Sequence, residues 1–241
     1  MILIAGGDGF VGTHLKKVLD GLDTGLYEVA DLKSGIDVCD IHDTSAYDVI
    51  VLLAANLNHD IEMFQHNQRI YKWAMRQNAH IIYTSSAAVY GDSTDAHVET
   101  EPTPAPTLYG RSKLYGETLL KQAKRHYTIL RLANVYGNGD GNGAIDIFKR
   151  GGNKIYGTGD DVRDYVSVKV VANAIKTIAL NPTDYDGETF NISSNEPMST
   201  LQAFHKYGHG QPEYLPPRGF DVKYSLLDNT KATIAGLIDE N

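Results

Sequence analysis

The sequence has one cysteine, Cys39, among 241 residues, so it can form no internal disulfide and no cysteine-rich zinc site. Cations are also scarce. The chain carries 22 lysines and arginines against 30 aspartates and glutamates, which gives a formal net charge of −8. Proteins that bind nucleic acids usually present a basic face, so nucleic acid is not an expected partner. The charge balance still allows a few local cations to hold a small anion.

Long apolar stretches are missing as well. No apolar run approaches the ~18–20 residues that a membrane-spanning helix needs, so the sequence predicts no membrane partner. The chain begins Met1-Ile-Leu-Ile-Ala5, without the charged segment and cleavage site of a secretory signal. Together with the single cysteine, these features predict a cytoplasmic protein. The composition, 42% hydrophobic and 22% charged, is that of an ordinary globular protein.

Short apolar runs alternate with helical patterns in the first 135 residues. Apolar spacing predicts helices over 10–19, 60–78 and 109–125. The apolar runs predict strands at 1–5, 26–30, 49–55, 80–84 and 127–132. Strands that alternate with helices form right-handed βαβ units, so the sequence predicts an α/β fold with a doubly wound parallel sheet.

After Tyr136 the predicted elements become shorter. They are strands near 154–156 and 188–192 and helices over 167–180, 199–207 and 228–237. We therefore predict a nucleotide-binding domain over 1–135 and a small α/β cap over 136–241, whose chain crosses back to the sheet around 160–192. The glycine-rich run 137–143 matches part of a calcium loop, but Lys149 stands where that loop needs a glutamate. No metal site is predicted.

Three glycines occupy the first predicted strand-to-helix turn. Gly6, Gly9 and Gly12 have the spacing G-x-x-G-x-x-G, which suits a tight turn, a close backbone approach to a pyrophosphate and close helix packing. The helix that follows offers N–H groups and the positive end of its dipole. Asp31 follows the second strand, where an acid bonds the adenosine ribose and disfavours a 2′-phosphate. The pattern predicts bound NAD in a Rossmann-type fold.

A tyrosine and a lysine in the predicted helix 109–125 suggest acid–base chemistry. Tyr109 and Lys113 are four residues apart, so both lie on one helix face. An ammonium group beside a phenol favours the phenolate, which can take a proton from an alcohol while hydride leaves its carbon. Ser86 follows the fourth strand, at the end where doubly wound sheets bind ligands. The three residues are our candidate catalytic group.

These segments together resemble the extended short-chain dehydrogenase/reductases, and within them a shortened member of the NAD-dependent sugar-nucleotide epimerase/dehydratase family. The resemblance covers most of the chain. It is carried by GGDGFVG (6–12), Asp31, DI (40–41), LLAAN (52–56), TSSAAVYG (84–91), YGRSKLYGE (109–117), LRLANVYG (130–137), IYGTGDDVRDYVSV (155–168), NISSNEPMS (191–199) and PPRGFDVKYSLLDNTKA (216–232).

The resemblance implies further roles for individual residues. Asn134, Arg163 and Arg218 would contact the substrate, a nucleotide-diphosphate sugar, with both arginines at the diphosphate. Asn67 would help to order the strand region beside the cofactor. The other implied cofactor contacts are Phe10 and Val11 at the pyrophosphate, Asp40 and Ile41 at adenine, and Leu53, Ala54 and Ala55 along the dinucleotide. It also implies a homodimer formed through helices 60–78 and 109–125.

The residues after Ser86 bear on the reaction. Dehydratases of this family usually carry an acidic pair there, whereas this chain has Ala87 and Ala88, so an elimination would lack its proton donor. The resemblance therefore implies a 4-epimerase, which oxidises the sugar C4 hydroxyl and reduces the 4-keto sugar on its other face. The alternatives are a dehydratase or reductase on the same scaffold, or a non-catalytic NAD-binding protein.

Overall fold

The computed structural model describes residues 1–22, 25–58, 60–219 and 222–238. Its helices are α1 (Phe10–Asp20), α2 (Ile61–Ala74), α3 (Leu108–Ala123), α4 (Ala144–Lys149), α5 (Val168–Leu180), α6 (Thr200–Tyr207) and α7 (Thr230–Ile234). Its strands are β1 (Ile2–Ala5), β2 (Tyr27–Ala30), β3 (Val49–Leu52), β4 (His80–Ser86), β5 (Tyr127–Leu132), β6 (Asn134–Tyr136), β7 (Lys154–Tyr156), β8 (Val162–Arg163), β9 (Tyr165–Ser167), β10 (Glu188–Ile192), β11 (Met198–Ser199), β12 (Glu213–Leu215) and β13 (Tyr224–Ser225).

The centre of the molecule is a six-stranded sheet with the order β10-β5-β4-β3-β1-β2. Every neighbouring pair in it is parallel. The chain passes from β1 to β2 on one side and then to β3 on the other, so the strand order reverses between β1 and β3. Open α/β sheets bind ligands in the crevice at such a reversal, at the carboxyl ends of the strands. The predicted doubly wound α/β fold is confirmed.

Alternate side chains of each central strand pack into two different layers, because a strand points successive residues to opposite faces. Ile2 and Ile4 pack on the side covered by α1 and α5, with Leu15 and Ile175. Leu3 packs on the side of α2 and α3, with residues such as Ile70, Tyr71 and Leu120. Both faces are therefore covered, which is why the strands read as continuous apolar runs.

The later part of the chain contributes to both the sheet and a small cap. Strand β10 pairs with β5 at the edge of the central sheet, and α5 packs against α1. The cap contains short strand pairs and its own apolar cluster, in which Phe148 and Phe204 meet edge to face at 5.2 Å.

The glycine-rich run 137–143 forms an ordered turn above the start of α1. The buried carboxylate of Asp146 accepts bonds from the backbone nitrogens of Gly137, at 2.9 Å, and Gly139, at 2.7 Å. His14 on α1 is 2.6 Å from the carboxylate of Asp140. These bonds tie the entrance of the cap to the first helix.

Several predicted boundaries differ from the structure: α2 ends at Ala74 rather than at 78, α3 ends at Ala123 rather than at 125, and α7 spans Thr230–Ile234 rather than 228–237. Two strand ends differ as well. Strand β3 ends at Leu52 rather than at 55, because the nitrogens of Leu53 and Ala54 both turn to the carbonyl of Ala5, at 2.9 and 2.8 Å. Strand β4 continues to Ser86, two residues beyond its predicted end. Strand β3 is therefore shorter than predicted, and strand β4 is longer.

Candidate active site

The glycine-rich turn between β1 and α1 touches the end of β3. Gly6 has a φ of +88°, and a Cβ atom there would lie 2.6 Å from the nitrogen of Ala54, so no other residue fits. Gly9 caps α1 without a side-chain bond, which leaves N–H groups at the helix start for a ligand. Gly12 lies buried in the first turn of α1. The backbone here is shaped to receive a pyrophosphate.

A cavity of about 390 Å³, here called the Asp31 cavity, opens between this turn and the end of β2. The carboxylate of Asp31 accepts bonds from the nitrogens of Asp8, at 2.9 Å, and Lys33, at 2.8 Å. These bonds fix the carboxylate at the cavity wall, where it can accept hydroxyl groups of a ribose. Three predicted cofactor contacts, Leu53, Ala54 and Ala55, line the same cavity.

Asp40 and Ile41, the predicted adenine contacts, do not line the Asp31 cavity. Asp37 and Val38, three residues earlier, line it instead. The carboxylate of Asp37 accepts the nitrogen of Cys39 at 2.9 Å and starts a 3-10 turn over Val38–Asp40, which turns Asp40 out to solvent. The carbonyl of Ile41 accepts the indole N–H of Trp73 at 2.9 Å and so belongs to the α2 side. The same acid-then-aliphatic pattern occurs twice in this segment, and the earlier copy, Asp37-Val38, is the one that lines this cavity.

A second cavity, of about 560 Å³, contains the three candidate catalytic residues and is called the Lys113 cavity. Its volume falls in the range of small-molecule sites. The described residues that line it include Gly6, Gly9, Phe10, Val11, Gly12, Leu53, Ala55, Ser86, Tyr109, Lys113 and Asn134. The structure therefore brings the glycine turn and the predicted catalytic group to one space.

Close helix packing places Tyr109 beside the end of β4. Gly110 follows Tyr109, and a Cβ atom at Gly110 would collide with the carbonyl oxygen of Ala88, so α3 can start against the turn that follows Ser86. The Oγ of Ser86 accepts the nitrogen of Ala88 at 3.2 Å, which orients the hydroxyl group. Ser86 and Tyr109 also share the wall of a third cavity.

Lys113 is a buried ammonium group, 4% exposed. Its Nζ donates to the carbonyl of Thr84 at 2.8 Å and lies 5.9 Å from the ring centre of Tyr109. Burial by itself lowers the pKa of Lys113, but the phenol oxygens of Tyr71 and Tyr109 outweigh it and raise the pKa above its ordinary value. Lys113 therefore stays positively charged beside Tyr109.

Asn67 supports the chain that follows β3. It is fully buried, accepts the nitrogen of Asn56 at 2.7 Å and donates to the carbonyl of Asn56 at 3.0 Å. It also donates to the hydroxyl of Ser112 on α3, at 3.1 Å. Asn67 thus joins α2, α3 and the loop beside the cofactor path, without lining the Asp31 or Lys113 cavities.

The third cavity, about 270 Å³, is called the Ala87 cavity and continues from Ser86 and Tyr109 towards the cap. Asn134, Arg163 and Arg218, the predicted substrate contacts, line it. They also line a neighbouring space of about 200 Å³, here called the Tyr156 cavity. Phe220 and Asp221, which belong to the motif at 216–232, lie outside the described residues.

The two arginines are held differently. Arg163 donates to the carbonyls of Val162 and Lys223, both at 3.0 Å, and forms an ion pair with Asp161 at 3.2 Å. The guanidinium of Arg218 lies 4.6 Å from the ring centre of Tyr156, at a distance typical of cation–π contacts. Two cations thus stand at the boundary between the Ala87 and Tyr156 cavities.

Sequence reasoning missed Asn142, which lines both the Lys113 and the Tyr156 cavities. In the sequence, the glycine-rich run around it shows only a partial match to a calcium loop. Its position depends on the Asp146 contacts of that turn, and these join backbone groups that no side-chain pattern reveals. No local signal in the sequence could have identified it.

The residues of these cavities fit NAD. The glycine turn fits a pyrophosphate, Asp31 fits a ribose, and three exposed apolar side chains lie along the same path. Leu32 is 60% exposed, Ile36 44% and Leu57 64%, and all three line the Asp31 or Lys113 cavity. An exposed apolar side chain in a cleft favours a ligand that covers it.

Comparisons with known proteins agree with this geometry. A putative UDP-glucose 4-epimerase of Methanocaldococcus jannaschii is 30% identical, covering 98% of this chain and 92% of the relative. A UDP-glucose 4-epimerase of Thermotoga maritima, solved with UDP-glucose, superposes with a TM-score of 0.77 at 28% identity, over 97% of this chain and 91% of the other. The Thermus thermophilus UDP-glucose 4-epimerase complex with NAD has a TM-score of 0.81 at 19% identity, over 99% and 94%.

The model of the NAD dependent epimerase/dehydratase family matches residues 2–193, four of every five residues of the chain. The family's cofactor agrees with the fit of the Asp31 and Lys113 cavities. Because this match covers well over half of the chain, and a relative that is 30% identical covers 98% of it, the chain belongs to the NAD dependent epimerase/dehydratase family.

Proposed function

We propose that this protein is an NAD-dependent sugar-nucleotide 4-epimerase whose substrate is a UDP-sugar. One observation carries the proposal: Ser86, Tyr109 and Lys113 line one cavity with the glycine turn, and Ser86 and Tyr109 line the next with two arginines. A dinucleotide and a sugar nucleotide would therefore meet at Tyr109. The names of the relatives, UDP-glucose 4-epimerases, support uridine diphosphate as the nucleotide.

Tyr109 is the proposed proton acceptor and donor at the sugar C4 hydroxyl. NAD, which the glycine turn and Asp31 would hold, would supply the acceptor for the hydride of that carbon and the donor for its return. Lys113 stays charged beside Tyr109 and stabilises the deprotonated phenol, while the hydroxyl of Ser86 hydrogen-bonds the reacting oxygen. Tyr109 then gives the proton back to the re-formed hydroxyl, so the chain's own groups return to their starting state.

The wall of the Ala87 cavity favours epimerisation over dehydration. Among the described residues that line it, none is an aspartate or glutamate, so no carboxylic acid there can protonate a departing hydroxyl. Several are small, including Ala87, Ala88, Gly91 and Ala133. A keto sugar has to turn over between the two hydride transfers, and small side chains leave it room to do so.

Arg163 and Arg218 would keep the substrate bound while the keto sugar turns over. Arg163 and Arg218 would hold the diphosphate, since guanidinium groups bind phosphate oxygens with two parallel bonds. Because the ion pair with Asp161 and two carbonyls hold Arg163 in place, little entropy is lost when it binds. A firm grip on the diphosphate and a loose sugar pocket are what an epimerase requires.

Incubation with NAD and UDP-glucose, followed by proton NMR, tests the proposal. We expect UDP-galactose to accumulate to equilibrium without net formation of NADH. Tyr109→Phe should lower kcat by about 10²–10⁴-fold and leave NAD binding intact. Tyr115→Phe on the same helix is the matched control and should keep its activity, since Tyr115 packs against Phe64 outside the cavities.

Other outcomes would select the alternatives. A stable 4-keto-6-deoxy product would identify a dehydratase, and net consumption of NADH would identify a reductase. If the protein binds NAD but converts none of a panel of UDP-, GDP-, dTDP- and CDP-sugars, and Tyr109→Phe keeps its biological activity, the epimerase assignment is wrong.

We also propose that the protein forms a homodimer through α2 and α3. These two helices pack side by side, and Ile61 at the start of α2 is 60% exposed. Light scattering should give twice the mass of the chain, and Ile61→Glu should give the monomer; a monomeric parent protein would contradict the proposal.

Within the described residues no helix is long and apolar enough to cross a membrane. The cytoplasmic location stays a prediction from the sequence.

A further inference from the structure

A buried carboxylate stands behind the catalytic pair and has no part in the chemistry proposed above. Glu117 lies on α3 one turn after Lys113 and two turns after Tyr109, on the same face of the helix. It is 0% exposed and lies outside the walls of the Lys113 and Ala87 cavities. Burying a carboxylate is costly unless it is paired, so its partners indicate what it does.

Glu117 is bonded from two neighbouring strands. Arg131 on β5 donates Nε to one carboxylate oxygen at 3.0 Å and Nη2 to the other at 2.7 Å, a bidentate pair in which both side chains are almost fully buried. Ser85 on β4 donates its hydroxyl at 2.6 Å. Arg131 is itself held, because Nη1 donates to the hydroxyl of Tyr90 at 2.6 Å.

These bonds belong to a series that fixes α3 against β4. The hydroxyl of Tyr83 donates to the carbonyl of Lys113 at 3.1 Å, and the carbonyl of Thr84 accepts the Lys113 ammonium at 2.8 Å. The hydroxyl of Ser85 donates to Glu117. Three consecutive strand residues are thus bonded to one face of the helix, and the next residue is Ser86. The register of α3 on β4 therefore sets where Ser86 stands relative to Tyr109.

The same group also balances the charge around Lys113. The titratable side chains around Lys113 and Glu117 are Tyr71 on α2, Tyr83 on β4, Tyr90 after β4, Tyr109 and Lys121 on α3, and Tyr127 and Arg131 on β5. Glu117 forms its bidentate ion pair with Arg131, and its charge also acts on Lys113 and helps to raise the pKa of that ammonium group. If Glu117 or Arg131 were replaced by a neutral residue, the other side chain would leave an uncompensated buried charge close to Tyr109 and Lys113.

We propose that Ser85, Glu117 and Arg131 form a positioning group, which holds Ser86 in register with Tyr109 and Lys113 and keeps the charge behind them balanced. The proposal rests on the catalytic roles given under Proposed function. Glu117 acts through Ser85 and the helix rather than on the substrate, so it is a positioning residue.

Glu117→Gln, Arg131→Gln, the double variant and Ser85→Ala test the proposal. Glu117→Gln should lower kcat about 10–100-fold, the loss that misplaced catalytic groups produce, with KM and the Kd of NAD nearly unchanged. On the acidic side, the pH of half-maximal kcat should fall in Glu117→Gln and rise in Arg131→Gln. The double variant should move that pH back towards the wild-type value. Lys121→Gln, whose ammonium is 3.6 Å from Glu117 on the exposed side, is the matched control and should behave as wild type.

A second measurement does not depend on activity. In the protein without ligands, amide hydrogen exchange in residues 108–117 should be faster in Ser85→Ala and Glu117→Gln than in Lys121→Gln. Ser85→Ala leaves the ion pair intact, so it provides the test if Glu117→Gln does not fold. An inactive wild-type protein would refute the proposed function, and the exchange rates would still decide this inference.

The inference fails if Ser85→Ala and Glu117→Gln keep the wild-type kcat and exchange rates. It also fails if kcat, KM and NAD affinity all deteriorate together, because that is the signature of a residue that only maintains the fold. Shifts of the pH profile in the same direction for Glu117→Gln and Arg131→Gln would refute the charge balance.

Discussion

Two buried tyrosines, Tyr71 and Tyr83, lie next to Lys113, and their hydroxyl groups differ in hydrogen bonding. Tyr83 donates to the carbonyl of Lys113 at 3.1 Å, whereas the hydroxyl of Tyr71 has no hydrogen-bond partner among the residues that the structure describes. Their rings meet edge to face at 5.2 Å, so they share one environment. A buried hydroxyl that loses its bonds to water without gaining others costs about 1–3 kcal/mol.

Removal of the two hydroxyls should therefore have different effects. Tyr71→Phe should change the free energy of unfolding by less than about 1 kcal/mol, because it deletes a hydroxyl with no hydrogen-bond partner but also the electrostatic support that this oxygen gives to Lys113. Tyr83→Phe, the matched control, should lower the free energy of unfolding by about 1 kcal/mol, because it removes a buried hydrogen bond to the carbonyl of Lys113. Urea unfolding of the two variants measures the difference. If Tyr71→Phe is as destabilising as Tyr83→Phe, the Tyr71 hydroxyl has a partner after all.

At the scale of the helices and strands, the sequence predicts most accurately the elements that a local pattern of side chains defines. The strands at 127–132, 154–156 and 188–192 have the bounds that their apolar runs predicted. The end of β3 could not be predicted, because it depends on the carbonyl of Ala5, which is close in space but 48 residues earlier than Leu53. Contacts of that kind leave no periodic signal in the chain.

The segment between β2 and β3 contains two 3-10 turns, at 32–34 and 38–40. The second of these turns decides which acidic side chain faces the Asp31 cavity, and this can be tested. Asp37→Ala should weaken NAD binding about 10-fold or more, since Asp37 lines the Asp31 cavity and a bond to a charged group is worth about 1.5–3 kcal/mol. Asp40→Ala is the matched control and should leave the Kd nearly unchanged. Calorimetric titration with NAD measures both.

Two results would contradict this assignment. Equal losses of NAD affinity in Asp37→Ala and Asp40→Ala would indicate that the whole turn had collapsed. A loss only in Asp40→Ala would restore the original choice of adenine contact. In Asp37→Ala the ion pair with Arg69 is also lost, so Arg69→Gln should be measured beside it.

At the scale of the whole molecule, a histidine far from the site links folding to pH. His80 at the start of β4 is 6% exposed, and its Nε2 is 2.9 Å from the hydroxyl of Thr128. Burial lowers the pKa of His80 from 6.5, although Asp186 at 3.9 Å acts in the opposite direction. The unfolded chain therefore takes up a proton at a higher pH than the folded protein does. The contribution of His80 to the free energy of unfolding is therefore fully present above pH 6.5 and decreases as the pH falls below that value.

His80→Gln removes this linkage and keeps a group that can bond Thr128. We expect the Tm of the wild-type protein to fall relative to that of His80→Gln as the pH decreases from about 7 to about 5. His209→Gln, at an exposed position, should follow the wild-type protein across the range. Parallel pH curves for wild type and His80→Gln would show that His80 is not the linked group.

The site as a whole was predictable in its centre and not at its edges. Ser86, Tyr109 and Lys113 could be found because a parallel sheet brings the carboxyl ends of its strands to one crevice. Asn142 and Asp37 could not, because a loop conformation and the register of a short turn place them there. The predicted substrate contacts Arg163 and Arg218 came from family resemblance, since their spacing alone carries no chemistry.

The position of β10 has a consequence for how the protein is made. This strand forms one edge of the central sheet, and α5, just before it, covers α1 at the opposite end of the chain. During synthesis the sheet remains incomplete until residue 192 has left the ribosome, long after α3 has emerged. A nascent chain of about 135 residues would expose the apolar face of α1 and the unpaired edge of β5. We therefore expect chaperones to engage it during that interval.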